Sequence, residues 1–343
     1  MHDRMSRILA AFYGAVWCMR PDVLNAMHAV LLRWASGNRL DDAQIRAAIG
    51  DAPQVAAQNR ERASRGAGSV AVIPVYGVLS PRAHMVEDIS GSGGTSTERL
   101  ARQFRQALAD DSVGAIVLDV ASPGGNAQGV MELADEIYAA RSRKKIVGVA
   151  APQAASGALW LISAAEEVVV TPSGEAGSVG AYGVHEDWSK ALEAEGVAVN
   201  FISYGKYKVE GNSTQPLDDE ARGYMQAQVN AVGQMFERGL AKNRGLSVDD
   251  VRKNFGEGRM LLAADAVKAG MADRVDTLDN TIARLARSAQ AQKPRTQASA
   301  AARLRLAALI GETHSFGEAA LGDETLEMVR DQFRKVAESY MDT

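Results

Sequence analysis

Between residues 68 and 278, short runs of β-branched and apolar residues alternate with longer stretches of helical period, which leaves few architectures open to the chain. The spacing predicts strands over 70–79, 115–120, 146–150, 168–170 and 197–202, and helices over 97–109, 129–140 and 218–242. Apolar runs of about four to eight residues, separated by helices of about ten or more, build βαβ units around a mainly parallel sheet. The fold class expected is therefore α/β. No fixed-period repeat underlies the alternation.

Around this region the sequence divides into three zones. Residues 1–66 form an N-terminal extension and linker, 67–280 the main domain, and 281–343 a low-complexity linker with a helical C-terminal tail. The extension holds helix candidates over 23–34 and 41–49 and ends in a polar Gln/Arg/Ala/Gly stretch. In the tail, Leu326, Val329, Phe333, Val336 and Tyr340 recur three and four residues apart in a charged segment. That is an amphipathic helix, and its apolar stripe needs a covering surface on the main domain, another copy or a different protein.

Composition narrows the function classes. The 343-residue chain is 46% hydrophobic and carries a net charge of −4, which supports a sizeable core and gives no basic patch for nucleic acid. Cys18 is the single cysteine, so no intrachain disulfide or cysteine-based metal site can form, and a reducing setting fits. The five histidines show no HExxH or other ligand spacing, so neither a metal nor a cofactor is expected. The apolar run 8–19 follows Arg4 and Arg7 and is signal-like in character, but Arg20-Pro21 comes next with no small-residue cleavage site. It is also shorter than the ~20 residues that span a bilayer, so no membrane anchor is expected.

Three motifs could carry chemistry. Ser156 follows the 146–150 strand in a small-residue turn and precedes an apolar helical run, which puts it at or near a helix N-terminus. There it could serve as a plain N-cap, or as a nucleophile beside unpaired N–H groups. Ser122-Pro123-Gly124-Gly125 ends the 115–120 strand, and its paired glycines let the backbone approach a ligand closely. Lys206 and Lys208 are two residues apart, so on an extended segment both would face one side and the pattern does not separate them. A lysine acts as a base only when kept neutral in a dry pocket, where a hydroxyl such as Ser178 could orient it. His185 is the nearest histidine for a Ser-His-Asp arrangement, but no G-x-S-x-G surrounds Ser156. The glycine-rich 91–96 stretch lacks the Gly-Lys-Ser/Thr ending of a phosphate loop and reads as a flexible loop.

Taken in order, Ser122-Pro123-Gly124-Gly125, Ala155-Ser156-Gly157, Thr171-Pro172, Gly177-Ser178-Val179-Gly180, Gly205-Lys206-Tyr207-Lys208 and Gly258-Arg259 resemble the signal peptide peptidase family of Ser-Lys serine peptidases over residues 68–280. The opening Ala11-Phe12-Tyr13-Gly14-Ala15-Val16-Trp17 through Pro21 resembles the phage head maturation, or capsid assembly, branch. The resemblance implies a Clp protease/crotonase-like fold of repeated ββα units. It also implies Ser156 as nucleophile, Lys208 as base with Lys206 second, Ser178 as the hydroxyl on the lysine, and Gly125 and Gly157 as oxyanion donors. A homo-oligomer acting on phage capsid, scaffold or portal proteins in the host cytoplasm, within or beside the prohead, is implied in turn. A bacterial cytoplasmic signal-peptide or protein-quality peptidase and a non-catalytic scaffold-like assembly protein are the alternatives. The nucleophile turn reads Ser156-Gly157-Ala158-Leu159 where many family members have Ser-Gly-Gly-Tyr.

Overall fold

The computed structural model describes residues 12–35, 70–82 and 94–292. Contacts divide the chain into two units, Met1–Ala289 and Gln290–Thr343, and the architecture that follows is that of the first. The expected 41–49 helix, the start of the 91–96 loop and the tail stripe lie outside the described residues.

The larger sheet has seven strands. Its central path runs β10 (Met260–Leu262), β9 (Glu175–Gly177), β7 (Lys145–Ala155), β5 (Ala115–Ser122) and β2 (Val70–Tyr76), with β8 (Glu167–Val170) on β7 and β11 (Arg274–Val275) on β8. Every pairing but β9 with β10 is parallel, as the predicted βαβ units require. β5 shows why: Ile116, Leu118 and Val120 face one apolar cluster while Ala115 and Val117 face another, so both faces of the strand are buried.

On the first face pack α2 (Thr97–Ala109), α3 (Val130–Ala139), α4 (Gly157–Ser163) and α6 (Asp219–Arg244), through Phe104, Leu133, Ile137, Leu159 and Phe236. After the short α7 (Val248–Asn254) and α8 (Ala263–Lys268), the second face is covered by α9 (Leu278–Gln292), whose Leu278, Leu285 and Ala286 meet Val117, Val147 and Val169. Position 280, expected as the end of the main domain, therefore falls inside a helix that the sheet needs. A smaller sheet, in the order β1 (Trp17–Met19), β6 (Gly124–Asn126), β3 (Leu79–Ser80) and β4 (Thr95–Ser96), joins the N-terminal segment to the main body. Next to β1, α1 (Pro21–Ala35) packs Leu24, Met27 and Leu31 with Phe12, Trp17 and Val78. This part of the expected N-terminal extension is thus built into the domain.

One expected strand is absent. Residues 197–202 form no regular element, and Val197, Phe201 and Ile202 are exposed, Ile202 fully so. Their apolar pattern matches a strand, but no neighbouring strand supplies hydrogen bonds and no helix covers the side chains. Between Ser178 and Asp218 the one helix is the short α5 (Ser189–Ala194).

Candidate active site

Ser156 stands at the junction of β7 and α4, where the chain turns sharply from strand to helix. Its backbone has φ 51° and ψ −118°, a left-handed conformation that side chains rarely adopt and that costs roughly 1–3 kcal/mol. The surroundings impose it. The Ser156 N–H donates to the Gly177 carbonyl at 2.7 Å, while its carbonyl accepts the Trp160 N–H at 3.0 Å. The side chain makes no capping bond to α4, so the plain N-cap role is not the one it plays. Ser156 is 1% exposed, and its Oγ has no hydrogen-bond partner among the described residues. A buried hydroxyl left unpaired costs free energy, which sets this position apart from an ordinary core serine.

The scaffold behind this turn is tight. Arg141 spans the far end of α4, donating to the carbonyls of Ser163, Ala164 and Ala165, and also to Asn243 of α6. These bonds satisfy carbonyls that the helix end leaves open. Trp160 stacks on Phe236 at 4.7 Å between ring centroids, tying α4 to α6. Gly148 of β7 permits the close approach, since a Cβ there would stand 2.5 Å from Ile162 Cβ.

The Ser122-Pro123-Gly124-Gly125 turn lies alongside. Ser122 Oγ donates to the Gly77 carbonyl at 2.7 Å and accepts the Gly124 N–H at 3.2 Å, which fixes the turn. A Cβ on Gly124 would stand 3.1 Å from Gly157 N and 3.0 Å from the Ala155 carbonyl oxygen, so this turn packs directly against the backbone on either side of Ser156. Gly125 is held between strands: a Cβ there would meet the Leu79 carbonyl oxygen at 2.0 Å. Ser178 follows Gly177, whose partner in the β7–β9 register is Ala155, so the two serines sit at adjacent strand ends. Ser178 also has a positive φ, 56°, and is buried. The structure thus brings together Ser156, Gly125, Gly157 and Ser178.

It does not bring the lysines there. Lys208 is exposed in a run of turns over 204–211, where its N–H donates to the Gly205 carbonyl at 3.2 Å. The segment is therefore not extended, and the two lysines are distinguished by their partners. Lys206 pairs with Glu220 at 2.8 Å and with the Tyr207 hydroxyl at 3.1 Å. Those hydrogen bonds hold its ammonium above the ordinary lysine range. His185 contacts the Asn212 carbonyl at 3.2 Å and is not bonded to Ser156. Among the described residues no group of acidic, histidine or cysteine side chains could hold a metal ion.

Two features at the site were missed in the sequence. β1 lies over the turn, and the Cys18 carbonyl oxygen would be 2.2 Å from a Cβ on Gly124. Tyr182, whose buried hydroxyl has no hydrogen-bond partner among the described residues, flanks β1 on the other edge. The usable signal was the opening Phe12-to-Pro21 motif, whose apolar residues had no assigned contact.

Comparison with known proteins points to a class for this chain. Residues 138–292 match Peptidase family S49, and the mixed α/β fold is consistent with that family. The Ser122–Gly125 turn precedes the matched segment. Among curated proteins, the chain is 30% identical over 295 residues to the head-tail preconnector protein GP5 of Enterobacteria phage P21, covering 83% of this chain and 58% of that protein. It is 32% identical over 226 residues to the capsid assembly protease C of Escherichia phage lambda, covering 66% of this chain and 51% of that one. Protease 4 of Salmonella typhi is 30% identical over 224 residues, or 65% of this chain and 35% of that protein. The chain spans about half the length of the phage relatives it matches.

Proposed function

We propose that this chain is a serine endopeptidase of the Ser-Lys kind that cleaves capsid, scaffold or portal proteins during phage prohead assembly. The observation that carries the reading is Ser156: a buried hydroxyl with no partner among the described residues, on a strained strand-to-helix turn against which the Ser122–Gly125 turn packs. In this reading Ser156 Oγ attacks the scissile carbonyl. The lysine amine takes the hydroxyl proton and returns it to the leaving amine, and the two glycine N–H groups stabilise the tetrahedral oxyanion. The names of the phage relatives support the substrate class, and no helix among the described residues is long and apolar enough to cross a membrane.

Lys208 is the base in this reading, since Lys206 is already held by Glu220. An exposed amine on a segment that also exposes Phe201, Ile202 and Tyr204 cannot be a desolvated base as it stands. A second copy of the chain would cover this apolar segment, and docking in a head-to-tail arrangement would bring the Lys208 of one copy to the Ser156 and Ser178 of the next. The purified chain should hydrolyse labelled casein or its cognate capsid proteins, and Ser156→Ala should abolish that hydrolysis. Cleavage that persists unchanged in the variant would sink the assignment.

A further inference from the structure

The element that covers the nucleophile is the chain's own N-terminal strand. β1 runs antiparallel to β6 with Cys18 opposite Gly125. The Arg20 N–H donates to the Pro123 carbonyl at 2.9 Å and the Ala127 N–H to the Val16 carbonyl at 3.2 Å. Bonded and non-bonded pairs alternate along an antiparallel ladder, so Cys18 and Gly125 form the bonded pair between these two. The Gly125 N–H therefore donates to the Cys18 carbonyl. That same oxygen would lie 3.3 Å from a Cβ on Gly157, beside the second oxyanion donor. On its other edge, β1 exchanges hydrogen bonds between Trp17 and Tyr182 at 2.8 and 3.0 Å.

An extended segment bonded through its main chain on both edges, with one carbonyl directed at the oxyanion donors, has the arrangement a bound substrate strand takes. We propose that Trp17–Met19 is a resident pseudosubstrate: it fills the substrate cleft, with the Cys18 carbonyl where a scissile carbonyl sits, and masks Ser156 until a substrate strand displaces it. This rests on the peptidase reading above. It accounts for the near-complete burial of Ser156 in a site that must admit a polypeptide. Arg20 latches the strand from the rim, donating to Gln153 of β7 and Glu175 of β9, both at 2.9 Å. A tethered strand competes at an effective concentration of about millimolar, so a substrate enters only by exchange with it.

Cys18 supplies the reporter, because it is the single cysteine and is 0% exposed. The probe is a synthetic peptide copying residues 14–22 with alanine in place of the cysteine. It is added to the full chain carrying Ser156→Ala, so that no turnover consumes it. The peptide should raise the rate of Cys18 alkylation several-fold and saturably, at lower concentration when Arg20→Ala is also present, whereas a scrambled peptide should not. In the chain with Ser156 intact, Arg20→Ala should increase casein hydrolysis several-fold. Alkylation that does not respond to saturating peptide in either background overturns the proposal, as does faster alkylation in Arg20→Ala with no gain in hydrolysis where the parent chain itself hydrolyses casein. If the peptide displaces the strand but no chain hydrolyses casein, the displaceable strand stands and the peptidase reading fails.

Discussion

The two halves of the proposed site are built by opposite means. At the Ser156 end, a parallel sheet, a buried helix and two glycine contacts leave the backbone almost no freedom. The Lys208 end is a run of turns whose large apolar residues face outward, and its hydrogen bonds are mostly local. Nothing among the described residues dictates where the lysine amine should be, whereas the core dictates the serine. In the proposed reading a single copy thus holds a positioned nucleophile and an unpositioned base, which is the pattern expected if assembly controls activity.

The largest test of this contrast is catalytic. Ser156→Ala and Lys208→Ala should each lower peptide hydrolysis by roughly 10⁴-fold, since members of one catalytic unit are not additive. Mixing the two inactive chains should restore about a quarter of the sites if the lysine is supplied by a neighbouring copy in a head-to-tail ring. A mixture as inactive as its parts would place both residues in one chain. The rigid half predicts a different failure: Gly125→Ala drives a methyl group into the Leu79 backbone and should cost on the order of 3 kcal/mol or more in urea denaturation.

A smaller effect is expected at the back of the sheet. Ending the chain after Asn280 removes the buried Leu285 and Ala286, and with them Arg284, which donates to Glu167 at 2.7 Å. That truncation should lose about 3–5 kcal/mol. Least affected should be Lys206→Ala. Its ion pair with Glu220 is exposed and screened by solvent, and hydrolysis should stay within a few-fold of the parent. A Lys206→Ala chain as inactive as Lys208→Ala would exchange the roles of the two lysines.

The parts of the fold legible in the sequence were those set by local period. β5, β7, β8, α2, α3 and α6 all fall near their predicted spans because alternation and helical spacing report burial directly. The same rule failed at 197–202, where an apolar pattern marks a surface with no partner among the described residues. Ser156 and the Gly124-Gly125 turn could be found because small residues at strand ends are unusual enough to stand out. The role of β1 could not. Its three residues carry no periodicity, and their position depends on pairing with a strand more than a hundred residues away. Similarly, α9 extends past the expected boundary at 280 because its apolar residues are spaced among arginines, alanines and a serine that read as linker.

The positive φ shared by Ser156 and Ser178 limits the alphabet available to this family of sites. Threonine offers the same hydroxyl and is the substitution a chemist would call most conservative. Its branched Cβ is nonetheless among the worst fits to a left-handed backbone, so the two positions select against the residue nearest in reactivity. Drift at either position is therefore channelled towards alanine, glycine or asparagine, which keep the backbone and abandon the hydroxyl. A chain that loses this chemistry should accordingly keep its shape, and could persist as an inert copy able to enter the same assembly.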